Sequence, residues 1–255
     1  YESEHGHFPP AYELGPDGTP WHSWRVLILP YLDHEPLYER YSFDEPWDGP
    51  NNRKLWEEMP WVYRCDSFDE AVRLGMTDTP SYYTNYFAIA GPQTALPGSA
   101  TVSLNQITNG TSNTMTVMES SNAQCWMEPT DISPQDAIMS MTRKDNQGHI
   151  EINDHFFSHS LYCYGSHCCF ADGHVSFLEK GVDRSALMKN MSITGSENLD
   201  IGEDTSSLGK NGSQLIRFKS VFKWNFIYSF AFTVCLSILP AVNLYRGRVK
   251  ISLES

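Results

Sequence analysis

His167 to Leu178 reads HCCFADGHVSFL. Two short runs of strand formers are divided by Asp172-Gly173, the dipeptide that signals a two-residue type I′ hairpin. Such a turn sets Ala171 opposite His174, Phe170 opposite Val175, Cys169 opposite Ser176 and Cys168 opposite Phe177. Because strand side chains alternate with period two, Cys168, Phe170, Val175 and Phe177 then share the core face. His167, Cys169, His174 and Ser176 share the other.

Further strand signals lie upstream. Ser81–Ala90 (SYYTNYFAIA) is dense in β-formers, and Val62–Cys65 reads as a short strand. Ile107–Glu119 (ITNGTSNTMTVME) is a glycine-bearing turn feeding an alternating strand. It places Met115, Val117 and Glu119 on one face and Thr114, Thr116 and Met118 on the other, the pattern of a half-exposed sheet. Nearer the start, the spacing of Leu29, Leu32, Leu37 and Tyr38 is helical, with Pro30 and Pro36 as interruptions. Asn51 or Asn52 reads as the N-cap of a short helix holding Leu55, Trp56 and Met59, which Pro60 stops. The sum is an α+β architecture with an antiparallel sheet and loop-rich insertions.

The 255 residues, 40% of them hydrophobic and 13% aromatic, are enough to build a core. A net charge of -13 repels a phosphate backbone and supplies no counterion release, so no nucleic-acid partner is expected. Residues 1–193 read as one globular domain. Thr194 to Lys223 then begins polar and glycine-bearing, the composition of a linker. Trp224 to Tyr245 is uncharged over 22 residues and, as a helix, would run about 33 Å, the thickness of a bilayer core. A core helix is the competing reading, but no polar stripe marks one, and a membrane span is expected, followed by a tail over 246–255.

Five stretches carry a resemblance. HSWRVLILPYLDHEPLYERYSFDEPWDGPNNRKLWEEMPWVYRC (22–65), TNYFAIAGPQTALPG (84–98), ITNGTSNTMTVMES (107–120), WMEPTDI (126–132) and CCFADGHVSFL (168–178) resemble, in order, the planctomycete pilin-like domain of unknown function that carries an H-X9-DG C-terminal signature. The positions that match its motifs are Trp24, Pro30, Tyr31, Pro46, Trp47, Asn51, Asn52, Arg53, Asn85, Gly91, Pro92, Gly110, Ser112, Asn113, Glu119, Asp172 and Gly173. The signature histidine is replaced by Tyr162, while Gly165 and His167 fall where the family has glycine and usually asparagine. The resemblance implies a prepilin-type protein, pseudopilin-like as in type II secretion, with a cleaved leader and a hydrophobic helix upstream that this sequence lacks. It implies an extracytoplasmic domain anchored at the cell envelope by that helix and by the C-terminal one. Self-association or a pilus-like or secretion-like assembly is the implied partnership, with no cofactor and no catalysis.

Three readings of the chemistry remain beside one another. The first is the non-catalytic structural or adhesive component just described. The second is an extracytoplasmic ligand-binding module, in which Trp21, Trp24, Trp47, Trp56 and Trp61 line an aromatic groove; burial in the core is the plainer fate of those rings. The third is a metal-dependent enzyme built from His155, His159, Cys163, His167, Cys168, Cys169 and His174, since zinc selects histidine and cysteine. The hairpin works against the third, because it holds His167 and His174 on the order of 13 Å apart at ~3.3 Å per residue. His174 and Cys169 are left as the weak metal candidates, on a stretch of 7 to 8 Å between backbones expected for diagonal neighbours, roughly. The adjacent Cys168 and Cys169 point to opposite faces, so a bridge from Cys163 reaches only one of them.

Overall fold

The computed structural model describes residues 1–65, 79–142, 165–179 and 181–196. A short helix, Glu2–His5 (α1), ends on Gly6 in the left-handed conformation. A small antiparallel ribbon follows, Tyr12–Leu14 (β1) against Pro20–Ser23 (β2). The helical turns expected after it are present in three short pieces. Trp24–Leu27 (α2) starts on Ser23, whose hydroxyl caps the Arg25 N–H. A 3-10 turn, Leu29–Leu32, ends at Asp33 with φ 62°. Glu35–Arg40 (α3) carries Pro36 in its first turn, where the missing N–H does no harm.

The central layer is an antiparallel meander in the order β3-β4-β5-β6, formed by Tyr83–Ala88 (β3), Met115–Cys125 (β4), Gly165–Phe170 (β5) and Val175–Glu179 (β6). Pro134–Thr142 (α4) and Arg184–Met191 (α5) cover one face, where Phe87, Met115, Met118, Cys168, Phe170 and Leu178 pack with Ile138, Met141 and Leu187. Against the other face lies the loop-rich N-terminal half, with Trp24, Ile28, Tyr63 and Trp126 fully buried beside Val117, Cys169 and Ala171. Both faces of the sheet's centre are therefore dry, where alternation with threonine had indicated a half-exposed sheet. Thr114 and Thr116 are buried too; the Thr116 hydroxyl donates to the Cys169 carbonyl, which removes the penalty for burying it.

The hairpin forms, but in a register one residue from the expected one. Cys169 pairs with Val175, Cys168 with Ser176 and His167 with Phe177. Phe170 N–H donates to His174 O and Gly173 N–H to Phe170 O, a three-residue loop over Ala171, Asp172 and Gly173. A type I′ turn needs two residues of positive φ, and only Gly173 has it, at 91°. Asp172 instead folds its carboxylate onto the His174 N–H and holds an ordinary turn conformation. The slip sends Val175 and Phe177 to the face of Cys169, away from Cys168 and Phe170.

A bulge between Met115 and Val117 likewise splits the faces of β4, so Met115 and Val117 enter different clusters. The strand expected at Val62–Cys65 is instead a 3-10 turn, Trp61–Tyr63, because Pro60 starts it and Tyr63 must turn inward. The helix after Asn51 is also 3-10, Asn52–Glu58. Neither asparagine side chain caps it; the Glu45 carboxylate accepts from the N–H groups of both Asn51 and Asn52.

Tyr162, Cys163, His155, His159 and Cys235, most of the expected linker, the stretch 224–245 and the tail lie outside the described residues. Among the described residues no helix is long and apolar enough to cross a membrane.

Candidate functional site

Most of the motif side chains hold loops. Asn52 is fully buried and staples the turn before it: its amide nitrogen donates to the carbonyls of Ser42, Pro46 and Glu45 at 2.9, 3.0 and 3.3 Å, and its oxygen accepts from Ser42 N–H at 2.8 Å. Arg53 binds the Asp48 carbonyl and carboxylate. Asn113 donates to the Asn109 carbonyl, and Gly110 supplies the positive φ of 89° between them. Ser112 sits exposed in the same turn. The amide of Gly91 is closed by Thr94, with Pro92 exposed beside it. Pro30 opens its 3-10 turn, Pro46 lends its carbonyl to Asn52, and Tyr31 donates to Glu4.

Trp24 belongs to a deeper hub. Arg25 and Asp131 form an ion pair at 2.8 Å with side chains 0% and 1% exposed. The same Asp131 Oδ1 accepts from Trp24 Nε1 at 3.1 Å and from Ala88 N–H at 2.8 Å. Arg25 also donates to the Tyr86 carbonyl and the Ser23 hydroxyl. Burial pushes the Asp131 carboxyl up, against the pull of the guanidinium. Its second oxygen is buried and has no partner among the described residues. Within the WMEPTDI stretch no local pattern marks Asp131, because its partners stand 43, 106 and 107 positions away.

Asn85 and Glu119, two of the motif residues, meet in the middle of the sheet, and His167 joins them from β5. Glu119 is buried; its Oε1 accepts from Asn85 Nδ2 at 3.3 Å and its Oε2 from His167 Nδ1 at 2.9 Å. Asn85 Oδ1 in turn accepts the Cys65 N–H at 3.1 Å. The His167 ring stands edge-on to Phe177 at 5.0 Å. Carboxylate and amide thus orient an imidazole that is 18% exposed, and fix its proton on Nδ1. The Cys168 thiol beside them is pushed up by burial and by the Glu119 charge, which makes it a poor nucleophile.

His174 pairs with Asp172 at the hairpin tip and stacks on Phe170, while Cys169 is disulfide-bonded and so offers no thiolate. Among the described residues no group of three or more His, Cys, Asp or Glu is placed to hold a metal ion. The tryptophans divide. Trp24 is core. Trp21 is half-buried against Gly15, where a Cβ would stand 2.1 Å from the indole. Trp47 stacks on Trp56 at 5.6 Å, Trp56 meets Tyr82 at 5.4 Å, and Trp61 is 63% exposed.

Residues 1–185 match the family model described as a protein of unknown function (DUF1559), SBP_bac_10. No curated protein and no solved structure matches the chain.

Proposed function

The chain belongs to the DUF1559 family of proteins of unknown function, and from that premise we propose that it is a non-catalytic component of the cell envelope, a pilin-like or pseudopilin-like structural or adhesive subunit with its domain outside the cytoplasm. One observation carries the reading: the side chains that distinguish the sequence are engaged with the chain's own backbone and with its own side chains. Asn52, Arg53 and Asn113 each donate to main-chain carbonyls of their own loops, and Trp24 donates to the buried Asp131 carboxylate. A catalyst would aim such groups into an open cleft; a building block needs rigid loops on a small sheet.

The test is to express the full reading frame, upstream sequence included, in a bacterium with and without a prepilin peptidase. Processing that depends on the peptidase, surface labelling of the domain by an impermeant reagent and cross-links between copies support the reading. An unprocessed, internal and monomeric product would overturn it.

The ligand-binding alternative keeps one observation in its favour, the partly buried row of rings Trp47, Trp56 and Tyr82. Stacking on one another uses ring faces that a sugar ring would need, so it stands second.

A further inference from the structure

The segment Glu4-His5-Gly6-His7 lies apart from every site above. Gly6, with φ 76°, reverses the chain after α1 and sets the two histidine rings 6.0 Å apart, centre to centre, at 38°. Their tautomers are fixed by neighbours. The Tyr31 hydroxyl donates its one proton to Glu4 Oε2 at 2.8 Å, so its oxygen accepts from His5 Nε2 at 3.0 Å. His5 therefore carries its proton on Nε2 and keeps the lone pair on Nδ1. His7 Nδ1 faces the Phe8 carbonyl at 2.8 Å and must donate, leaving the lone pair on Nε2.

A histidine that gives one ring N–H to a carbonyl or to a carboxylate relay and presents the other nitrogen is arranged as a metal ligand. Metal–nitrogen bonds of ~2.0–2.1 Å place two imidazole centres on one ion about 5 to 6.4 Å apart. The observed 6.0 Å lies in that range. From these two imidazoles, the geometry points to a surface site for one borderline divalent transition ion, Cu2+ before Ni2+ or Zn2+ in strength, bound by His5 and His7 with water completing the shell. Glu4 stands in the outer sphere through Tyr31, and a net charge of -13 draws cations to the surface.

The site is independent of the pilin-like reading. The test uses the full chain without a histidine tag, titrated with Cu2+ alone and followed by calorimetry and by electron paramagnetic resonance. One ion per chain with nitrogen coupling is expected. His5→Gln and His7→Gln should each weaken binding at least about tenfold, and Tyr31→Phe several-fold through loss of the relay. His174→Gln, at an exposed histidine elsewhere, should leave binding unchanged. All three histidines sit at or near the surface, so circular dichroism should report the same fold in each variant. Absence of saturable binding, or Cu2+ affinity unchanged in the His5→Gln, His7→Gln double variant, would overturn the assignment.

Discussion

Removing Asp131 tests the hub that ties the N-terminal half to the sheet. In Asp131→Ala the Arg25 guanidinium, fully buried, keeps the Tyr86 carbonyl and the Ser23 hydroxyl but loses its counter-charge. Breaking a buried pair from one side costs about 3–5 kcal/mol, because the remaining charge stays desolvated. The Trp24 and Ala88 N–H groups lose their acceptor as well, and each buried orphan adds about 1–3 kcal/mol unless water enters. Against a total stability of about 5–15 kcal/mol, the variant is expected at the edge of folding.

Urea unfolding followed by tryptophan fluorescence reads this directly. With a slope of about 2 kcal/mol/M, a loss of 4 kcal/mol moves the midpoint by about 2 M. Asp131→Asn should fall between, since it keeps an acceptor for the two N–H groups. The double change Arg25→Met, Asp131→Leu should recover most of the loss, because it removes both desolvated charges together. Single variants within about 1 kcal/mol of the parent, or a double variant that loses the sum of the singles, would refute the account of a coupled buried pair.

Three further outcomes are expected. Asn52→Asp should destabilise more than Asn52→Ala, itself about 1–3 kcal/mol, because a carboxylate oxygen would face the carbonyls of Ser42, Glu45 and Pro46; thermal melts of the two variants decide the order. Gly165→Ala should cost about 1–3 kcal/mol and speed amide exchange in β5 and β6, since the new Cβ would stand 2.4 Å from the Leu178 carbonyl oxygen. Alkali should weaken the fold in a defined direction. Burial pushes the Cys125 thiol from 9.0 up to about 12, and raises the Tyr41 and Tyr63 phenols as well. In the unfolded chain these groups lose their protons first, so their contribution is complete below about pH 9 and falls as the pH rises toward 12. A urea midpoint that stays flat between pH 9 and 11 would contradict it.

The sequence alone determined the class of the fold and the position of its main strands, but not the helices Pro134–Thr142 and Arg184–Met191 or the ribbon of β1 and β2, and it placed a strand at Val62–Cys65 where a 3-10 turn stands. Strand formers within 81–90, 107–119 and 167–178 act through neighbours in the chain, which is why they are legible. The resemblance marked Asn85 and Glu119, but gave no hint that His167 completes them. What only the tertiary structure decided is everything that depends on partners distant in the chain. The hairpin register turned on whether Asp172 would take a positive φ or fold its carboxylate onto His174, two options that the same dipeptide allows. Whether Thr114 and Thr116 face water depended on which segments cover the sheet. The Arg25–Asp131 pair joins residues 106 positions apart, and the Glu119–His167 pair residues 48 apart. Charged and polar groups enter a core only where partners are already in place, and those partners are set by the packing of the whole domain, which no window of local sequence contains.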